Sequence, residues 1–491
     1  MKNEKLLKFI PLALGILIVL VGAFLRVNEA LRSDVWYDEA FTGITVRQSW
    51  PDIVKILLQD RNHPPLFYAL VKGVTWITGS TDPFHLRLVS LFFGIATIPL
   101  GYLLIQQLGL AKEDKKWLGI ATMAVLSFSP FFVSYSTEAR SYAFLLFLML
   151  LAIIYFIKAA KNSFRFSKEL VMWGVMLFMI MITHFLSVLI LSGFFVAFVL
   201  LRMEEKKTLY HPDLMKRIGV VTFLGWLFIT WAWSTANMEK LIEPLNLGFV
   251  PQTDLSVIPK IITSILFGIH HQEPGFPSAN IFSFSLLMGN IGFDILITSV
   301  IAFVIALQNS IKNKEMLGDV IILTSLGIVP LAVDLLASSF GLHMYLPRYV
   351  MGYGTMLIIW MLYVWWRIAN KKILWIICGY ISLLFFVVRA PYLTKYSEIV
   401  ALIPPDSPVT LEFPLDYLVI KYYLPESNAT LLKNISGKPY NWPYMPESIE
   451  VSPNTVRPGS LVIWRKNSDR TIPSTWRQKF ETKNFRVYEY E

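Results

Sequence analysis

The chain is dominated by apolar runs long enough to cross a bilayer, recurring from residue 8 to residue 389 and separated by short basic clusters. A run of about 20 apolar residues is what roughly 30 Å of hydrocarbon demands of a helix. Within such a segment the backbone satisfies its own polar groups, so the fold is a set of helices. The runs fall at 8–25, 86–108, 117–134, 141–158, 170–183, 186–201, 218–235, 285–307, 317–338, 349–366 and 373–389, so the expected class is an α-helical polytopic membrane protein with about eleven transmembrane helices. Composition agrees: 55% of the 491 residues are hydrophobic and 16% charged, against about a quarter charged in soluble domains. At the N-terminus, the basic residues 1–8 and the apolar residues 9–25 share the charge pattern of a signal sequence. The apolar part is of spanning length and no small-residue cleavage site follows it, so an uncleaved first helix is expected. Residues 170–201 form one nearly unbroken apolar stretch interrupted by Thr183-His184. One very long helix would leave His184 in lipid, so two helices are expected there.

The net charge of +10 does not point to nucleic acid, because the basic residues sit between the spans. Lys2/Lys5/Lys8, Lys112/Lys115/Lys116, Lys158/Lys161/Arg165/Lys168, Arg202/Lys206/Lys207/Lys216/Arg217, Lys312/Lys314 and Arg367/Lys371/Lys372 alternate with poorly basic connections. Basic loops stay cytoplasmic. The N-terminus is therefore expected in the cytoplasm and the C-terminal tail outside, in a multi-pass protein of the plasma membrane. The single cysteine, Cys378, excludes an internal disulfide.

The first outer connection, 26–85, carries Ile53, Ile56 and Leu57, then Leu66, Phe67, Leu70 and Val71, the spacing of amphipathic helices that lie along an interface. The connection 237–284 is similar. After residue 390 the sequence turns polar, with strand-like 409–413, 460–465 and 485–490 and helix-like 416–424. Two domains follow: a transmembrane domain, 1–390, and a small extracytoplasmic α/β domain, 391–491, which carries the glycosylation acceptor triplets at Asn428 and Asn434.

Polar clusters mark the outer side. Trp36-Tyr37-Asp38-Glu39-Ala40 places two carboxylates beside two rings where the first span ends. A charge at the centre of a spanning helix costs roughly 2.5–3.5 kcal/mol, so these acids belong in water, in a protein cavity or on a cation. Belt aromatics with solvated acids are the competing explanation. His63 stands before the rigid pair Pro64-Pro65 in Asn62-His63-Pro64-Pro65-Leu66. In Tyr135-Ser136-Thr137-Glu138-Ala139-Arg140-Ser141-Tyr142, Arg140 has the fork that grips a phosphate, and Glu138 is placed to orient it or to close a tight turn as its ion pair. Pro347-Arg348-Tyr349 opens the tenth span with a second Arg, for which snorkelling to head groups is the alternative. His270-His271 beside Glu273 is a weak metal motif, since adjacent histidines diverge on regular structure. A base for a hydroxyl and cations for a departing lipid phosphate suit transfer chemistry on an anionic lipid headgroup. A flippase for a lipid-linked saccharide is the alternative from another class, but it calls for internal repeats, and none is visible.

In order and spacing these motifs, with Leu86-Arg87-Leu88-Val89-Ser90-Leu91-Phe92-Phe93-Gly94, resemble the N-terminal half of the GT-C polytopic glycosyltransferases. The nearest set is the family 39-like group of protein O-mannosyltransferases and aminoarabinose lipid A transferases. The resemblance covers about 30–160 well and the remainder mainly by layout. It implies an inverting transfer of one sugar from a polyprenyl-phosphate donor to a protein, lipid or glycan acceptor among membrane lipids. Asp38 then matches the catalytic base and Glu39 its partner, while Arg140 and Arg348 match positions near the donor phosphate. His63 stands where the aminoarabinose transferases carry Lys, which argues against their substrate. Tyr37, Glu138, Tyr142, His184 and Tyr349 complete the candidate substrate contacts. The second loop keeps only Glu138 of a familiar acid pair, which leaves a divalent metal open, with Glu39, Glu138 and His184 as candidate ligands.

Overall fold

A computed structural model of the chain describes residues 2–60, 63–184, 187–204, 255, 257–267, 282–310, 313–340, 348–368, 396–404, 407–432, 450–451, 456, 458–466, 476–482 and 485–490. The expected spans at 218–235 and 373–389, the His270-His271-Glu273 motif, Cys378, Pro347 and Asn434 lie outside the described residues. The chain divides into two compact units: 1–29 with 62–67 and 89–390, and 30–61 with 68–88 and 391–491.

The first unit is helical. Among the described residues five helices are long and apolar enough to cross a membrane, or six if one bent pair counts as a single span. The first is Phe9–Arg32, within α1 (Lys2–Arg32). In chain order the next elements are α2 (Tyr37–Arg47), α3 (Trp50–Asp60) and α4 (Pro65–Thr78), which fall in the second unit apart from the start of α4, and α5 (Pro83–Gln107), a candidate span whose residues from 89 on belong to the first unit. The bent pair is α6 (Lys112–Phe128) with α7 (Pro130–Ser136), set at 59°. Proline at position 130 explains the break, because it has no N–H for the carbonyl of residue 126. α8 (Tyr142–Lys161) is a candidate span, followed by α9 (Lys168–Met181) and α10 (Ser187–Glu204). Residues 170–201 therefore form two helices, with His184 in the connection between them. After α11 (Val257–Phe267) come α12 (Phe282–Ser310), α13 (Lys314–Ser339) and α14 (Met351–Ile368); Gly292–Ser310 and Glu315–Ser339 are the last two candidate spans.

Large apolar side chains are exposed on the outer faces of these helices, including Phe9, Leu12 and Leu20 on α1 and Val300, Ile301 and Val304 on α12. Such a surface has lipid as its solvent. Inside, Ile18 of α1, Ile98 of α5 and Ile120, Met123 and Ala124 of α6 form a buried cluster.

The second unit is built on a six-stranded sheet of β1 (Val409–Leu411), β2 (Ala429–Leu432), β3 (Glu450–Val451), β4 (Leu461–Arg465), β5 (Trp476–Glu481) and β6 (Phe485–Tyr490). The spatial order is β3-β2-β1-β4-β6-β5. β1, β2, β3 and β4 pair in parallel and β6 is antiparallel to both neighbours. Two further helices are α15 (Tyr396–Val400) and α16 (Pro414–Tyr423). α16 packs on β1 and β2 and also receives α2. Gly43 of α2 makes that approach possible, since a Cβ there would come within 2.5 Å of the Tyr422 ring. On α3, Ile53, Ile56 and Leu57 are buried while Trp50 and Val54 are exposed, the amphipathic pattern expected from their spacing.

Candidate functional site

In the first unit four separate stretches meet. His63 precedes the two prolines that open α4, and the Leu66 N–H donates to the Ile182 carbonyl at 3.2 Å, which docks 63–66 on the connection carrying His184. Arg140 lies in the turn between α7 and α8. That turn is locked locally: the Thr137 N–H and hydroxyl donate to the Ser134 carbonyl at 2.9 and 2.7 Å, and the Arg140 N–H donates to Glu138 O at 2.7 Å. The Ser90 hydroxyl of α5 holds the Arg140 carbonyl at 2.9 Å. With its backbone fixed at both ends, Arg140 directs its guanidinium to the His63 ring, and the two share a hydrogen bond.

His184 sits between two tyrosines, its ring centroid 5.8 Å from Tyr142 and 5.7 Å from Tyr349. Arg348 lies over the Tyr349 ring at 5.4 Å, a cation–π contact. Arg140, Arg348, His184, Tyr142 and Glu138 are all buried. The electrostatics follow from this crowding. Burial first, then the positive fields of His63, Arg140 and Arg348, push the His184 imidazole down to about 3. At neutral pH it is therefore uncharged, a polar group set within a ring of cations. Two buried guanidinium groups and an imidazole form a surrounding suited to an anion that accepts several hydrogen bonds at once.

Tyr37, Asp38 and Glu39 belong to the second unit, at the N-terminus of α2, where acids are favoured by the helix dipole. The Trp36 and Tyr37 rings meet edge to face at 4.7 Å. Asp38 is half-buried. Glu39 is 2% exposed and both of its oxygens are occupied, Oε1 by Arg87 Nε and Oε2 by Arg87 Nη2, each at 2.7 Å. The remaining donors of Arg87 go to the carbonyls of Ala30, Ser33 and Asp34 at 2.7, 2.8 and 3.0 Å. One guanidinium thus ties the end of α1 and the entry to α2 to the start of α5. Arg87 stood in the sequence only as part of a run of residues, yet a charged residue inside an apolar run is itself a signal.

These surroundings do not fit a metal ion. Glu39 is committed to a guanidinium, and a divalent cation at His184 or Glu138 would meet the charge of Arg140. Among the described residues no group of three His, Cys, Asp or Glu gathers in a way that could hold one.

A sequence model of the family described as "Dolichyl-phosphate-mannose-protein mannosyltransferase" matches residues 49–241. No curated protein matches the chain in sequence. In fold the chain is similar to ArnT from Cupriavidus metallidurans in the apo state, with TM-score 0.57 at 10% identity over 98% of each chain. A weaker likeness, TM-score 0.48 at 10% identity over 86% of this chain and 64% of the other, is to the archaeal oligosaccharyltransferase AglB from Archaeoglobus fulgidus in complex with an inhibitory peptide and a dolichol-phosphate. The spans, the family match and the shared fold agree: residues 49–241 are similar to the dolichyl-phosphate-mannose-protein mannosyltransferases, and the chain as a whole shares the fold of ArnT.

Proposed function

We propose that the chain moves one sugar, with inversion, from a polyprenyl-phosphate donor to an acceptor hydroxyl of a protein, lipid or glycan at the extracytoplasmic face. The observation that carries this reading is the gathering of Arg140, Arg348 and His63 about the neutral His184. A lipid-linked sugar leaves as a phosphate, and preorganised guanidinium groups stabilise the charge that grows on its oxygens. The family description names a dolichyl-phosphate-linked mannose, a donor of this type.

In the reaction the acceptor oxygen attacks the anomeric carbon from the face opposite the phosphate. The new C–O bond forms as the bond to the phosphate oxygen breaks. The acceptor proton passes to Asp38, a general-base step that contributes typically 10²–10⁴-fold. Glu39, held by Arg87, positions the first turn of α2, and Tyr142 and Tyr349 line the imidazole. Eleven spans with a cytoplasmic N-terminus, as the alternation of basic connections implies, complete the reading.

The test is to incubate the purified protein in lipid with a panel of radiolabelled polyprenyl-phosphate sugars. Consumption of one donor with release of polyprenyl phosphate is expected. No consumption of any donor in the presence of protein, lipid and glycan acceptors contradicts the reading.

A further inference from the structure

Arg26 lies in the C-terminal part of α1 and is 0% exposed. A guanidinium buried in a membrane helix is costly, and its partners show what it does. Nη1 donates to the Gly22 carbonyl at 3.1 Å and to the Ser127 carbonyl at 3.0 Å. Nη2 donates to the Leu126 carbonyl at 2.6 Å, and Nε to the Ser136 hydroxyl at 3.2 Å. Leu126 is the residue whose carbonyl the N–H of residue 130 would take in a continuous helix. Residue 130 is proline, and it supplies none. Arg26 therefore stands in for the donor that Pro130 removes, and its fork reaches past the 59° break to the last residue of α7.

Two glycines allow the approach. A Cβ on Gly22 would collide with the Ser127 hydroxyl, and one on Gly94 of α5 would collide with the Ser136 side chain and lie 3.3 Å from its Cα. Ser136 in turn donates to the Phe132 carbonyl inside α7. Four residues later comes Arg140, which meets His63.

We propose that Arg26 is a positioning residue for donor-phosphate binding: it replaces the backbone donor missing at Pro130, fixes the α6–α7 break, and through Ser136 sets the turn that aims Arg140. This rests on the reading that Arg140 holds the donor phosphate. The sequence of contacts is Arg26 to Ser136, Ser136 through the locked turn to Arg140, and Arg140 to the anion. Lysine cannot substitute, because one ammonium cannot span three carbonyls and a hydroxyl as a planar fork does.

The experiment measures the Kd of undecaprenyl phosphate and the thermal midpoint for full-length protein in lipid nanodiscs, in Arg26→Gln, Arg26→Lys, Ser136→Ala, Pro130→Ala and Arg140→Ala. Arg26→Gln and Arg26→Lys weaken binding about tenfold, the loss expected when a charge-assisted hydrogen bond no longer orients the site. Ser136→Ala removes only the last link; it keeps the wild-type midpoint and weakens binding severalfold, so the proposal stays testable if the Arg26 variants fail to fold. Pro130→Ala restores an N–H for Leu126, so the loss of midpoint caused by Arg26→Gln is smaller in that background than in wild type. Wild-type affinity in folded Arg26→Gln and Ser136→Ala, with Arg140→Ala impaired, overturns the positioning role and leaves the phosphate reading standing. Wild-type affinity in Arg140→Ala overturns both.

Discussion

Glu39 and Arg87 form a two-point ion pair inside the second unit, 2.7 Å at each contact, with side chains 2% and 1% exposed. A buried pair of this kind is weak support for stability while intact, but removing one partner leaves the other charge stranded. Arg87→Met should lower the unfolding free energy by about 3–5 kcal/mol. The double variant Glu39→Gln/Arg87→Met should recover part of that loss. Chemical denaturation in detergent micelles checks both, and a double variant no better than the single one would show that the carbonyl contacts of Arg87 dominate.

His184 makes acid sensitivity calculable in sign. Its proton affinity is lowered in the folded chain from the ordinary 6.5 to about 3, so the unfolded chain binds a proton that the folded chain refuses. Its contribution to stability is fully present above about pH 6.5 and is lost as pH falls toward 3. His184→Gln, which has no proton to gain, should flatten the decline of the thermal midpoint between pH 6.5 and 4. An unchanged slope would mean that other groups set the acid response.

At Gly43 the close approach of α2 to the Tyr422 ring leaves no room for a methyl group. Tyr422 cannot swing aside easily, because its hydroxyl donates to Thr81 O at 2.8 Å and Arg47 stacks over its ring at 4.6 Å. Gly43→Ala should therefore cost about 1–3 kcal/mol through overpacking. A thermal midpoint equal to wild type would show that the ring repacks.

Much of this was legible in the sequence where the signal is local. The spans at α1, α5, α8 and α13 follow from apolar runs, and Thr183-His184 correctly divides α9 from α10. Strand-like and helix-like stretches after residue 408 match β1, α16, β4 and β6. Long-range pairings were not legible. His63 and Arg140 are 77 residues apart, and Glu39 and Arg87 are 48 apart, so nothing in either neighbourhood announces the partner. Arg26 was hidden more deeply, since three of its four bonds go to backbone carbonyls, which have no sequence identity. The one readable hint was Pro130, a missing donor that some other group had to replace.

For Arg140 and Arg348 the expected defect is specific to the donor. Arg140→Ala and Arg348→Ala should each raise the donor KM by about tenfold or more while changing the acceptor KM little, as expected for loss of a charge-assisted contact to phosphate. Initial rates with each substrate varied in turn decide the matter. Equal losses for donor and acceptor would count against phosphate binding.

The most direct test of the account is the initial rate of sugar transfer by Asp38→Asn reconstituted in lipid, measured beside its affinity for undecaprenyl phosphate. Transfer should fall by at least about 10²-fold, the scale of a lost general base, while the thermal midpoint and the lipid-phosphate affinity stay at wild-type values. Wild-type turnover by Asp38→Asn would contradict this account.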